Sequence, residues 1–298
     1  MKLAFFNDYQ LGLVKDDFII NLMSVVSNIN APTSQDLING VISEFNTRYR
    51  SLFLNASISE SEEKIPLSQV ELRAPLPRPG KIVAMAANYM ENGALKEPKP
   101  INAFFKSPES VIGNGDTVIL PPNKATIFHH EAEFGLVIGE TAKDVRPEEA
   151  YKHIFGYINF IDVSARGLHA PSFFWGKSWD TFGPMGPFIV TADEIPDPQN
   201  INVNLWINGD IRQTYNTNDM GHKIPRIIEW ASSITRLEAG DIVICGTNHQ
   251  GLGALQDGDK LEMEADGLGR LSVSVRDDLK REWPRGVDKE IADRVAGR

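Results

Sequence analysis

The sequence predicts an α+β, β-rich fold, closer to a rolled or closed sheet than to a doubly wound one, with a small N-terminal α/β domain ahead of it. Three observations point there. Short apolar runs recur along the chain between Gly and Pro turns, and helical periodicity is confined to a few brief stretches. Neither a G-x-G-x-x-G fingerprint nor a P-loop stands between a strand and a helix, which also argues against a nucleotide cofactor.

Residues 3–6 and 12–20 read as strands joined through the turn Asn7-Asp8-Tyr9. Pro32-Thr33-Ser34-Gln35-Asp36 opens a helix with capping chemistry, and Leu37, Val41 and Phe45 follow at helical spacing. The polar, acidic stretch 57–64 reads as a solvated linker, and Pro75, Pro77, Pro79 and Gly80 mark a break. The N-terminal unit is therefore placed at 1–72 and the main domain at 73–276. Strands are predicted in the latter at 81–86, 116–120, 131–139, 188–191, 202–207, 241–245, 260–265 and 271–275, with helical stretches at 148–154 and 224–233. The charged tail, 277–298, holds one Trp283-Pro284 island and is expected as a surface helix or a partner contact.

Composition narrows the partners. Lys and Arg number 30 against 40 Asp and Glu, and the formal charge of −10 argues against nucleic acid or an anionic membrane as the main partner. A local cationic pocket remains compatible with it. The single cysteine excludes an intrachain disulfide and a multi-cysteine zinc site. No window approaches the roughly 20 apolar residues of a membrane helix. Residues 1–6 are too short a run for a signal-peptide core, so the expected location is the cytoplasm.

The segment His129-His130-Glu131-Ala132-Glu133-Phe134-Gly135-Leu136-Val137-Ile138 is the most informative. Strand periodicity puts Glu131, Glu133, Gly135 and Val137 on one face, and His130, Ala132, Phe134, Leu136 and Ile138 on a core face. Two carboxylates two apart on a buried strand repel each other and lose hydration. They persist there when one is protonated or a cation sits between them, and hard divalent cations prefer such oxygen ligands. Asp162, at the end of the apolar run 156–162, is a third acid in costly surroundings, with Arg166 and Lys177 close behind it. On spacing alone, a solvated glutamate pair and a turn-capping aspartate fit equally well.

Glu131-x-Glu133, then Asp162-x-Ser164-x-Arg166, then Lys177-Ser178-x-Asp180-Thr181-Phe182-Gly183-Pro184-x-Gly186-Pro187 resemble the fumarylacetoacetate hydrolase family. The resemblance continues through Asn208-Gly209, Gln213, Thr217 and Met220. It closes with Leu237-x-x-Gly240-Asp241-x-Val243-x-x-Gly246-Thr247 and Gly258-Asp259, and covers about residues 75–275. It implies a mixed β-roll catalytic domain, usually dimeric, that binds Mg²⁺ or Mn²⁺ through Glu131, Glu133 and Asp162. It implies a small dioxo-acid substrate of acylpyruvate or fumarylpyruvate type. Lys177 would supply a fixed positive charge near the developing oxyanion, Arg166 would support metal and substrate, and Tyr89 and Thr247 would contact substrate. Lys106 lies in a matching segment. The implied activity is hydrolysis of a C–C bond in the catabolism of aromatics or sugar acids. The alternative is tautomerisation, isomerisation, decarboxylation or dehydration of a 2-oxo acid at the same site, and a non-catalytic metal-binding protein is a third reading.

Two departures matter. Hydrolytic members carry a lid histidine three residues past the tyrosine of Asn-Tyr, and a glutamate three further on. Those positions are Asn92 and Leu95 in Asn88-Tyr89-Met90-Glu91-Asn92-Gly93-Ala94-Leu95-Lys96-Glu97, and an amide has no useful pKa for a general base. Glu91 and Glu97 read as a solvated lid face. His169 stands where many members have glutamine and becomes the candidate acid–base residue. His249 and His222 are weaker candidates, and Cys245 reads as a core filler.

Overall fold

The computed structural model describes residues 1–59, 63–169 and 172–298. A large mixed sheet organises the fold. Its strands run in the order Lys64–Pro66, Phe18–Asn21, Gln10–Lys15, Lys2–Phe6, Gly183–Thr191, Ile154–Ile161, Ala132–Ile138, Ile242–Ile244, Ile82–Met85 and Ala103–Lys106. Along this path only Ile242–Ile244 and Ile82–Met85 pair in parallel. A second sheet runs Asp210–Asn216, Asn202–Ile207, Lys260–Ala265, Leu271–Arg276 and Thr117–Ile119. The two share one core, in which Phe134, Leu136 and Tyr157 pack with Val203, Leu205, Leu261 and Met263. The path ends in two unjoined strands, so the sheet is rolled and open, and the fold is mixed α+β and strand-rich.

The predicted run 12–20 breaks at Asp16, whose left-handed φ of 52° makes a tight turn between Gln10–Lys15 and Phe18–Asn21. Helix Ser34–Ser43 starts where the capping signal put it. The Thr33 hydroxyl accepts from the Asp36 amide at 3.1 Å, and the Asp36 carboxylate accepts from the Thr33 amide at 3.2 Å. The stretch predicted as helical at 148–154 is the 3₁₀ turn Pro147–His153.

The strand Ala132–Ile138 has no solvated face, as the reading of a buried carboxylate strand requires. Every residue is buried, and Val137 packs with Ile158, Ile244 and the N-terminal residues Leu37, Ile38, Val41 and Phe45 in a second core. The N-terminal helices cover the back of the sheet there, with Phe45 set edge-on to Phe155 at 5.0 Å. Residues 1–72 extend the large sheet as well, since Lys2 and Leu3 pair with Val190 and Ile189. The expected boundary thus crosses a continuous sheet.

The tail docks on the body. Arg281 donates to the Asn123 carbonyl at 3.0 Å, the Trp283 ring lies edge-on to Phe128 at 5.8 Å, and Arg285 pairs with Asp259 at 2.6 Å. It ends in helix Lys289–Ala296, capped by Asp288 and closed by Gly297 at φ 73°. Among the described residues, no helix is long and apolar enough to cross a membrane.

Candidate active site

The antiparallel register builds the acid cluster. Ala132 pairs with Ile161 and Glu133 with Phe160, so the start of one strand meets the end of its neighbour. The Asp162 amide then donates to the Glu131 carbonyl at 2.8 Å. Glu131, Glu133 and Asp162 each offer a carboxylate oxygen within 4.8 Å of the others, and all three side chains are buried.

Three cations face these acids. Lys177, at the end of the short helix Phe173–Lys177, places Nζ 2.7 Å from Glu131 Oε2 and also bonds Asp162. Lys106 Nζ lies 2.7 Å from Asp162 Oδ1, and Arg166 bonds Glu131 Oε1. Burial alone would raise the Glu131 pKa, but Lys177 and Arg166 outweigh it and hold the carboxyl well below the usual range. Glu133 goes the other way. Burial, reinforced by Asp162, drives its carboxyl well above the usual range, against a 2.7 Å hydrogen bond from the Gly246 amide. Burial pushes the Lys106 pKa down, while for Lys177 the attraction of Asp162 and Glu131 overcomes burial and raises it. Among the described residues, the set of three convergent carboxylates fits an oxygen-seeking divalent cation such as Mg²⁺ or Mn²⁺, whose charge would favour the ionised form of Glu133.

A cavity of about 150 Å³ opens on the cluster, and its polar lining is Glu131, Arg166, Lys177, Thr247 and His249. The rings of Phe104 and Phe173, stacked at 4.4 Å, form an apolar wall. A neighbouring cavity of about 400 Å³ shares Arg166, Phe173 and Lys177. A larger space of about 550 Å³ beside Trp175 and Trp179 contains none of the three clustered acids. The chemistry converges in the smallest of the three.

Of the residues singled out from sequence, Glu131, Glu133, Asp162, Arg166, Lys177 and Thr247 come together. Thr247 Oγ1 accepts from Gln213 Nε2 at 2.8 Å, and its hydroxyl also lies beside that of Tyr215. Tyr89 is buried edge-on to Tyr215 at 4.8 Å, and its hydroxyl finds no hydrogen-bond partner among the described residues. It forms a bridge to Met220 and lies outside the cavity lining.

His169 is exposed and contributes to neither cavity beside the cluster. Gly167, at φ 66°, turns the chain just after Arg166 and separates the two. His222 Nε2 meets the Lys99 carbonyl at 2.8 Å. The histidine that lines this cavity together with Glu131 is His249. Glu91 overturns its reading as a solvated residue: it is 2% exposed, with Oε1 2.7 Å from His249 Nδ1. Its left-handed backbone, φ 58°, accompanies that inward placement. Glu97 is exposed, and Cys245 is core.

Gln213 has a structural role that the sequence did not disclose. Its Oε1 accepts from the Ala132 amide at 3.1 Å and meets His130 Nδ1 at 2.9 Å, while Nε2 reaches Thr247 and the Asn248 carbonyl. It ties the start of the strand Ala132–Ile138 to the Gly246-Thr247 loop. Burial lowers the pKa of His130 to about 3, and burial together with Arg166 lowers that of His129 to about 4.

The family model for the fumarylacetoacetate (FAA) hydrolase C-terminal domain matches residues 81–276. This chain belongs to the fumarylacetoacetate hydrolase family. Within it, the chain is 31% identical over 295 residues to a maleylpyruvate hydrolase of Aquipseudomonas alcaligenes, spanning 93% of this chain and 99% of that protein. It is 38% identical over 224 residues to an oxaloacetate tautomerase of Bacillus subtilis, spanning 70% and 74%. The crystal structure of a maleylpyruvate hydrolase from Sphingobium sp. SYK-6, in complex with manganese(II) ion and pyruvate, superposes with a TM-score of 0.84 at 34% identity. That likeness covers 93% of this chain and 99% of the other. Family relatives thus include hydrolases and tautomerases, and one holds Mn(II).

Proposed function

We propose that this chain is a Mg²⁺- or Mn²⁺-dependent hydrolase that cleaves a C–C bond of a small acylpyruvate, releasing pyruvate and a carboxylic acid. This reading is supported by three convergent buried carboxylates, of which Glu131 lines one small cavity together with Lys177 and Arg166. Glu131, Glu133 and Asp162 would hold the ion. When bound, the ion would act as a Lewis acid on the substrate's adjacent oxygens and stabilise the departing enolate. Arg166 and Lys177 bring positive charge to an anionic substrate. Thr247, anchored by Gln213, adds a hydroxyl to orient it. The Phe104 and Phe173 wall keeps part of the site dry, which strengthens each of these interactions. The full-length likeness to maleylpyruvate hydrolases supports hydrolysis. On the same family grounds, we propose a homodimer.

A second reading, tautomerisation of a 2-oxo acid, is favoured by the 38% identity to an oxaloacetate tautomerase and by Asn92 and Leu95 at the lid positions. The deciding assay follows acylpyruvate enol absorbance with Mn²⁺ or with EDTA and identifies the products. Metal-dependent release of pyruvate is the expected result. Enol–keto conversion with no cleavage product would replace the hydrolase reading with the tautomerase one.

A further inference from the structure

Hydrolysis in this cavity needs a group that takes a proton from water and returns it to carbon. The 3₁₀ turn His249–Gly251, N-capped by Asn248, carries His249 to the cavity wall beside Glu131, Lys177 and Thr247. Behind the imidazole, Glu91 is fixed by several contacts. Its Oε1 lies 2.7 Å from His249 Nδ1, and its Oε2 accepts from the His249 amide at 2.8 Å and from Gln250 Nε2 at 3.0 Å. With Glu91 Oε1 accepting from this imidazole as Oε2 accepts from the two N–H groups, Nδ1 would carry the hydrogen and leave Nε2 as the basic atom. Among the described residues, nothing hydrogen-bonds Nε2.

The segment that supplies Glu91 is held in an unusual shape. Glu91 and Asn92 are consecutive left-handed residues at φ 58° and 55°, a conformation that side chains with a Cβ resist. Two contacts hold it in place, and a third braces their partners. The Asn92 amide donates to Asp219 Oδ2 at 2.9 Å, and Asn248 Nδ2 reaches both Asn92 Oδ1 and Asp219 Oδ2 at 3.2 Å. Backbone strain held by its surroundings beside a reactive cavity is a mark of a functional contact.

We propose that His249 is the proton-transferring catalytic residue of this site and Glu91 its positioning residue, an assignment that rests on the hydrolase reading above. The lid segment then supplies the carboxylate alone, and the turn after Gly246-Thr247 supplies the imidazole. In the step, Nε2 removes a proton from water as the water oxygen bonds to the acyl carbonyl carbon. The C–C bond breaks with its electron pair going to C3, which forms the enolate of pyruvate, and the imidazolium returns its proton to C3. One water is consumed, one carboxylic acid and one pyruvate form, and no oxidant or reductant is needed.

The test uses the full chain loaded with Mn²⁺ and acetylpyruvate as probe. His249→Gln is expected to lower kcat at least about 100-fold with little change in KM or Mn²⁺ affinity, and added imidazole to restore part of the rate. Glu91→Gln is expected to lower kcat about tenfold or more, with partial recovery in Glu91→Asp. Nitrogen-15 NMR of the Mg²⁺-loaded wild type needs no variant and is expected to find the His249 hydrogen on Nδ1. Mixed tautomers are then expected in Glu91→Gln, an effect that a merely structural glutamate would not produce. An active wild type with an undiminished His249→Gln variant overturns this proposal alone, as does a hydrogen found on Nε2. A wild type inert toward acylpyruvates overturns the hydrolase reading and the proton-transfer role together.

Discussion

Glu133→Gln separates the metal site from the fold around it. Burial and the nearby Asp162 raise the Glu133 pKa well above the usual carboxylate range, which favours the protonated carboxyl in the metal-free site. Glutamine copies that neutral shape, and its amide oxygen can retain the 2.7 Å hydrogen bond from the Gly246 amide. Without metal, the variant is therefore expected to fall within about 1 kcal/mol of wild type. With Mn²⁺ at 100 times its Kd, the wild type gains about 2.7 kcal/mol. For a chain of 298 residues unfolding with about 2.1 cal/mol/K per residue, that is a rise in Tm of about 4 °C. The variant has lost an anionic ligand and is expected to rise by about 1 °C or less at the same concentration. Because binding favours the ionised form of Glu133, wild-type affinity should strengthen as pH rises and level off once this carboxyl is ionised. Scanning fluorimetry and calorimetric titration measure both effects. Equal Mn²⁺ shifts in the two proteins would refute the assignment, and so would a metal-free variant several kcal/mol less stable than wild type.

Other substitutions probe the surroundings of the cluster. Lys177→Met leaves Glu131 and Asp162 short of a buried cation, and should cost about 3–5 kcal/mol in metal-free urea unfolding, with part recovered on adding Mn²⁺. His130 has a folded pKa of about 3, below its unfolded value, so the stability its neutral form contributes is present above about pH 6.5 and lost as pH falls. Urea unfolding between about pH 6 and pH 4 should show about 1.4 kcal/mol lost per pH unit on its account. His130→Asn, which keeps a donor for Gln213, should flatten that slope, while a parallel contribution from His129 remains. The two candidate histidines also part company in one assay. His169→Ala should leave kcat within about threefold, whereas a hundredfold loss would return the acid–base role to the exposed loop.

The chain shows its structure most clearly where burial alternates. Strands Asn202–Ile207 and Lys260–Ala265 bury every second residue and stand at their predicted bounds. The strand Ile154–Ile161 is buried along its whole length and gives no such period, so its apolar run could be read as costly surroundings for Asp162 but not placed as a strand. The acids were readable because buried charge is expensive whatever its exact setting. The pairing of His249 with Glu91 was not, since it joins residues 158 apart and depends on a positive φ that side-chain chemistry does not announce. His169 misled for the converse reason. It is close to Asp162 and Arg166 in the chain, yet the left-handed Gly167 intervenes and the imidazole faces solvent.

The proposed cleavage of a C–C bond by water and metal, in the cavity lined by Glu131, Lys177 and His249, is followed by product analysis in D₂O. The Mn²⁺-loaded protein should convert acetylpyruvate to acetate and to pyruvate that gains a deuteron at C3 during cleavage, and EDTA should stop it. Recovery of uncleaved acetylpyruvate, deuterated at C3 but with no acetate formed, would contradict the account.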